Sequence, residues 1–339
     1  MGLLTATGHL GAADALLTAS SVYQEASSLL DATAAAPQFG LQGRVGYEDA
    51  RSYHVDNLEL RLSGANGTRL QWLAGAALMS ARSHQDGTLQ PESGADIPEV
   101  LLSQQAREIA AFGELRAGLR PGVHATAGLR VASTRIEGAL AGEGGEDAIS
   151  SSDISVTPSI AFDWQPGDAN RYYYFRYARA ERPGGLAPAT EDESSTFEAD
   201  ELSSFNLGSR LKLRDATLTI DTALFAGQWH HIQSDYLLSN GIVATHNVGD
   251  GDNYGWEATV RWRPGPWILD GDATLQRARL THPEIDVADD PRLPVVPDVR
   301  LRAVLGRKMQ WDAWTGLLSG EVNYTGPSRL SFEEALETT

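Results

Sequence analysis

"GVHATAGLRVAST", residues 122–134, sorts its side chains by parity. Val123, Ala125, Ala127, Leu129 and Val131 share one side of an extended chain, while His124, Thr126, Gly128, Arg130 and Thr134 share the other, because successive strand residues point to opposite faces. One face is greasy and the other wet. "DISVTPSIAFDW" (153–164), "NYGWEATVRWR" (253–263) and "WTGLLSGEVNY" (314–324) repeat the pattern, and each sustains it for ten residues or more, against about 5–6 for a typical soluble strand. Further candidate strands lie near 14–31, 53–63, 69–81, 105–118, 170–181, 200–213, 216–230, 266–279 and 297–309. No stretch carries helical period.

The connections add an asymmetry. Short turns, "SGANGT", "LRPGV", "QPGDAN", "LRDA", "RPGP" and "QWDA", alternate with long polar segments near 82–104, 136–153, 181–199, 231–252 and 280–296. In an up-and-down meander every second connection emerges at the same end, so one rim is expected to carry tight turns and the other long loops, as in outer-membrane barrels. Six of the eight tryptophans (Trp72, Trp164, Trp262, Trp267, Trp311 and Trp314) lie close to the short turns, on the apolar parity. Indole rings favour the headgroup level, so these read as an aromatic girdle. A soluble β-sandwich also alternates, but it has no reason to segregate long from short loops.

Composition narrows the rest. A formal charge of −18 argues against nucleic-acid binding, which needs a concentrated basic face. The chain has no cysteine, so disulfides and thiolate metal sites are excluded. "MGLLTATGHLGAADALL" has neither the basic start nor the sustained apolar core of a signal peptide. "LQWLAGAALMSA", from Leu70, is shorter than the roughly 20 residues a spanning helix needs, whereas a spanning strand needs only about 9–11.

"RYYYFRYARAER" (171–182) packs five aromatics and four arginines into one strand before Pro183, Gly184 and Gly185 end it. Tyr173, Phe175 and Tyr177 are expected on one face and Tyr174 and Arg176 on the other. Arginines inside a barrel require water or carboxylates opposite, and Glu114, Asp163, Asp270, Asp272 and Glu321 are available.

Four phrases, in order, resemble the C-terminal barrel of TonB-dependent outer-membrane receptors: "YYFRYARAERPGGLAP", "FEADELSSFNLGSRLKLRDATLTIDTALFAGQWHHIQ", "NVGDGDNYGWEATVRWRPGPWILDGDATLQRARLTHP" and "LPVVPDVRLRAVLG". The match covers roughly residues 50–325. The resemblance implies an all-β, antiparallel up-and-down transmembrane barrel in the outer membrane of a Gram-negative bacterium. It also implies uptake of a scarce nutrient, such as an iron–siderophore complex, a cobalamin or an oligosaccharide, driven by the TonB–ExbB–ExbD system. The family barrel has about 22 strands around a plugged lumen, against about 12–14 here, and nothing resembles the plug or the TonB-contacting segment. Residues 1–339 therefore read as a partial barrel, a fragment not expected to transport alone. A soluble all-β binding or structural protein, and a passive porin, are the alternatives.

Candidate chemistry is sparse. His230 and His231 in "WHHIQ" are neighbours on a strand and point apart, which disfavours a shared metal. "GDGDN" (249–253) and "DVADD" (286–290) lack the spacing of an EF-hand loop and read as solvated acidic loops. "RPGGLAP" precedes no helix, so it reads as a turn and not a phosphate cradle. No G-x-S-x-G elbow occurs, so no enzyme, cofactor or metal site is expected. A small nutrient ligand would meet the chain where lumen and outer loops join, at Arg176, Arg182, Trp229, His231 and Arg277. Their cationic and aromatic groups suit an anionic chelate or a sugar ring.

Overall fold

The structure is a computed structural model that describes residues 1–67, 69–142, 145–167, 170–189, 195–237, 243–284, 291–329, 332 and 337–338. Its strands are β1 (Gly2–Leu10), β2 (Ala13–Asp31), β3 (Val45–Asn66), β4 (Leu70–Pro91), β5 (Ile97–Arg120), β6 (Val123–Gly142) and β7 (Gly145–Trp164). There follow β8 (Arg171–Arg182), the short β9 (Gly185–Leu186) and β10 (Thr196–Phe197), β11 (Asp200–Leu213) and β12 (Leu218–His230). The short β13 (Gln233–Leu237) and β14 (Val243–Asn247) precede β15 (Gly249–Trp262), β16 (Trp267–Pro283), β17 (Val299–Trp311) and β18 (Trp314–Thr325). The brief β19 (Ser328–Arg329) and β20 (Glu337–Thr338) pair with each other. Among the described residues the one helical element is a 3-10 turn, Ala36–Phe39.

Fourteen strands form one antiparallel sheet in the order β1 to β8, β11, β12 and β15 to β18, an incomplete all-β barrel. Among the described residues no second large sheet packs across it, which removes the sandwich alternative. Cross-strand partners share a face, so register settles sidedness. Leu58, Leu78 and Ile109 form one row, and Leu207, Leu224 and Trp256 another. Leu58, Leu78, Ile109, Leu207 and Leu224 are 42–66% exposed, although all are large and apolar. On the opposite face Ala77, Ala110 and Ala132 are only 2–6% exposed. That is the concave side, where small residues let the wall curve.

On β4 the apolar outward set runs from Leu70 to Leu78, nine residues, within the span a tilted strand needs to cross lipid. The concave face carries the charges. Asp163 accepts from Arg116 (3.1 Å) and lies 2.8 Å from His124 Nδ1; Asp270 pairs with Arg263 (2.7 Å); Arg302 bridges Asp272 and Glu321 (3.0 Å each). Parity thus separates an apolar outward face from a charged concave face, and four of the five anticipated carboxylates hold arginines on the latter.

The tight turns share one rim. Gly11, Gly67, Gly122, Gly167, Gly265 and Asp312 all take positive φ in these hairpins. At Gly122 (φ +73°) a Cβ would also collide with the Gln165 carbonyl, whereas at Gly67 (φ +65°) it meets open space. Gly122→Ala is expected to cost about 1–3 kcal/mol, and Gly67→Ala about 1 kcal/mol. The shift in urea midpoint of the folded band checks the order of the two.

Three expectations change. Strand β1 extends the sheet beyond the anticipated elements, because "GLLTATGHL" alternates too weakly to announce itself. Segments 82–104 and 136–153 are largely ladder: β4 pairs β5 up to Leu89–Ile97, and β6 pairs β7 up to Gly142–Gly145. Beyond the apolar band neither face carries a continuous apolar row, so strands there need no apolar parity. The β6–β7 connection is therefore short, not long. "GDGDN" is likewise no loop but the start of β15, whereas "DVADD" lies outside the described residues.

Candidate ligand site under the outer loops

At the rim opposite the tight turns, the connections fold inward over the concave face. Strands β9 and β10 form a miniature hairpin from "RPGGLAP" and its return. It reaches across to β5, where Leu186 N–H donates to Gln104 Oε1 at 2.8 Å. The β13–β14 hairpin lies against it: Asn247 Oδ1 accepts from Glu198 N–H (2.6 Å), and Asn247 Nδ2 donates to the His231 (2.6 Å) and Glu198 (3.2 Å) carbonyls. Burial of apolar surface holds both. Val45, Tyr47, Leu89, Val100 and Leu140 enclose Leu186, Ala187 and Ala244 in one cluster, and Ile232, Val248, Ala278, Leu280, Leu293 and Phe332 form a second.

Asp200 pins the roof to the wall. Its side chain is 5% exposed and accepts from Arg182 Nη2 (2.5 Å) and Nε (3.3 Å), Trp229 Nε1 (3.1 Å) and Gln233 N–H (3.4 Å). Gln233 in turn donates to the Pro183 and Glu198 carbonyls, both at 2.9 Å. One carboxylate thereby joins β8, β11, β12 and both inward loops.

On the same luminal face lies a cavity of about 360 Å³, walled by Leu202, Phe225 and Trp229 and, from the β16–β17 connection, by Leu293 and Val296, with Ser204, Asn206, Asp252, Asn253 and Glu257 as its polar lining. Asn253 Oδ1 is buried without a hydrogen-bond partner. Two ring faces, two amides and an unsatisfied acceptor suit a ligand with an apolar or sugar face and polar edges.

The sequence-predicted residues distribute unevenly. Arg182 and Trp229 converge on Asp200. Arg176 shares the luminal face in register with Asn206, its guanidinium 5.0 Å from the Tyr174 ring centroid. His231 sits at the roof in a left-handed conformation (φ +50°); its N–H donates to Asp250 Oδ1 (2.9 Å) and its Nδ1 lies 3.9 Å from Glu198. Arg277 is exposed and in register with Tyr254 on the outward face, so it stands outside the lumen. His230 pairs with Asp250 at 3.2 Å. Burial works to raise the Asp250 pKa, but the His231 amide and the His230 ring overcome it and hold the carboxyl below its usual range. No group of His, Asp and Glu among the described residues has the geometry of a metal site.

Sequence reasoning missed Asp200, Phe225 and Asn253. It also missed Tyr47, whose hydroxyl is buried without a partner and whose pKa burial pushes up to about 12. Because the folded value lies above the ordinary 10.0, Tyr47 supplies stability that is complete below pH 10 and lost as pH rises through 10 to 12. Tyr47→Phe removes an unsatisfied hydroxyl. It is expected to leave stability unchanged or raise it by up to about 1 kcal/mol, and to flatten the alkaline limb of a denaturation-versus-pH curve.

No curated protein sequence matches the chain significantly. Solved structures do. The ferric yersiniabactin uptake receptor FyuA from Yersinia pestis superposes with a TM-score of 0.80 at 18% identity, over 99% of this chain and 51% of that one. The ferric citrate transporter FecA, unliganded, gives 0.71 at 15% identity, over 96% and 48%. The siderophore receptor PiuA from Acinetobacter baumannii gives 0.69 at 13% identity, over 97% and 54%. The chain thus spans about half the length of these structures, which at such identities speak for the fold. The family described as TonB dependent receptor-like, beta-barrel, matches residues 4–338. With a one-sheet meander, a greasy exterior, a charged interior and a family match along nearly its whole length, the chain belongs to the TonB-dependent receptor β-barrel family.

Proposed function

We propose that this chain is the barrel portion of an outer-membrane receptor for active uptake of a scarce nutrient: an iron–siderophore complex, a cobalamin or an oligosaccharide. TonB, ExbB and ExbD would supply the energy, and the barrel would contribute recognition without covalent chemistry. The observation that carries this reading is the luminal cavity, lined by Phe225 and Trp229 from the wall and by Leu293 and Val296 from the β16–β17 connection. Leu293 packs on Ile232 and Val248, beside the Gln233 that Asp200 holds, so the inward loops and the cavity lining form one connected structure able to hold a ligand. Arg182 bonds Asp200, Arg176 is in register with Asn206 of the cavity lining, and His231 adjoins the β13–β14 hairpin through Asn247. Arg277 would contact lipid headgroups.

Calorimetric titration of the refolded chain with representatives of the three nutrient classes tests the proposal. One class is expected to bind, with affinity reduced roughly 10–100-fold by Phe225→Ala or Trp229→Ala, the loss of a buried aromatic anchor. Binding by none of them, or binding indifferent to both substitutions, would refute it.

A further inference from the structure

Three aromatic rings of the concave wall lean on a glycine directly across the strand pair. The Phe112 ring covers Gly75, the Tyr174 ring covers Gly208, and the Phe225 ring covers Gly255, where an added Cβ would lie 2.6 Å from the ring. Each glycine is the register partner of the residue whose ring covers it. With no side chain beneath it, each ring can lie along the wall and turn a face to the lumen. Two of these faces carry a guanidinium: Arg130 stands 5.8 Å from the Phe112 centroid, and Arg176 stands 5.0 Å from that of Tyr174. Among the described residues no cation covers Phe225, although it lines the cavity. A ring face is electron-rich and attracts a cation within about 6 Å.

The same sector holds an unmatched carboxylate. Glu108, Asp221, Asp270, Asp272 and Glu321 on this face each hold an arginine, whereas among the described residues Glu257 holds none. Glu257 is exposed, shares the concave face with its register partner Ala223, and lines the cavity with Phe225. It lies two positions from Gly255, hence about 7 Å along the strand from the backbone that the Phe225 ring covers. The first guanidinium in its row, Arg300, stands two strands away, beyond Thr274. Among the described residues no lysine, arginine or histidine lines the cavity. Around Phe112 the wall supplies ring, carboxylate and cation together, as Phe112, Glu108 and Arg130. Around Phe225 it supplies ring and carboxylate and leaves the cation out.

We propose that the ligand brings the missing cation: the cavity selects a nutrient bearing an ammonium group, which sits on the Phe225 face and pairs with Glu257. The proposal rests on the uptake reading above and names the ligand chemistry of that same cavity. An anionic chelate without such a group meets Glu257 as a like charge and is disfavoured. The test is calorimetric titration of the full chain in detergent micelles with the glucosamine disaccharide carrying free amines, the same disaccharide N-acetylated on both units, and ferric citrate. The amine form is expected to bind roughly 10-fold more tightly than the acetylated form, and ferric citrate not measurably. High salt is expected to weaken the amine form alone. Glu257→Gln should remove most of the preference, and Phe225→Leu, which keeps apolar volume but no ring face, should lower it about 3-fold. Equal binding of the two disaccharides, silence from both, a preference that survives Glu257→Gln, or ferric citrate bound more tightly than the amine would each overturn the proposal. Should a variant give no heat-modifiable folded band, the comparison of the two disaccharides on the unaltered chain decides. Ferric citrate or the acetylated sugar bound tightly, and released by Trp229→Ala, would sink this proposal and leave the uptake reading standing; silence from every ligand, cobalamin included, would end both.

Discussion

Leu129→Arg is expected to destabilise the folded chain by about 2–4 kcal/mol in a bilayer, the cost of an arginine on the lipid face of a barrel near the midplane. Leu129 is 49% exposed and shares an outward row with Ala74, Gly113 and Pro158, well inside the apolar band. On a soluble protein, an exposed leucine changed to arginine would alter stability by no more than about 0.5 kcal/mol. The neighbouring Arg130 is the internal control. It faces the lumen, pairs with Glu108 and lies 5.8 Å from the Phe112 ring centroid. Chain neighbours of opposite parity thus have opposite tolerances. Urea unfolding in lipid vesicles, compared with unfolding in detergent, measures both. A cost at Leu129 that does not fall as the variant residue is moved upward, to Ser133, would break the assignment of faces.

The same parity explains what the sequence discloses and what it withholds. Lipid enforces alternation, so "GVHATAGLRVAST" reveals both faces from composition alone, and the tight turns disclose one rim. Arg277 shows how charge can mislead where parity does not: within "WILDGDATLQRARL" it falls with Leu269 and Leu275, opposite Asp270 and Asp272, and register confirms the outward face. Beyond the apolar band the constraint lapses. Strands β6 and β7 continue to Gly142 and Gly145 through a sequence that reads as a polar loop. Yet a trace of pattern survives in the roof. Ala244, His246 and Val248 alternate as buried residues, and Leu186 and Ala187 are the apolar members of "RPGGLAP". Their partners, Leu89, Val100 and Leu140, come from strands distant in sequence, and no local reading links them. The candidate site was legible only where its residues are chemically conspicuous, as Arg182 and Trp229 are. Asp200 is one of many aspartates until the fold brings four donors to it.

Removing that carboxylate is expected to release the roof and leave the wall. In Asp200→Ala, Trp229 Nε1, the Gln233 amide and the Arg182 guanidinium lose their common acceptor. Hydrogen bonds to a charged group are worth about 1.5–3 kcal/mol each. Arg182 and Trp229 can turn toward water, since the Arg182 side chain is 54% exposed, so a net loss of about 3 kcal/mol is the reasonable scale, or roughly 100-fold in a local opening equilibrium. Hydrogen exchange is therefore expected to accelerate about that much at the Leu186 and Ile232 amides, which join roof to wall, and at the Val248 amide, which closes the base of the β13–β14 hairpin, while amides of the β4–β5 ladder keep their protection. Asp200→Asn retains one acceptor oxygen but no charge and should fall between. The location of the change carries the argument. Exchange that quickens uniformly through the sheet would make Asp200 a support of the whole barrel, and exchange unchanged at all three amides would mean that the two apolar clusters alone hold the loops down. Acceleration confined to the roof would leave a structure in which loop closure and barrel stability are separately adjustable, with a single buried carboxylate governing the first.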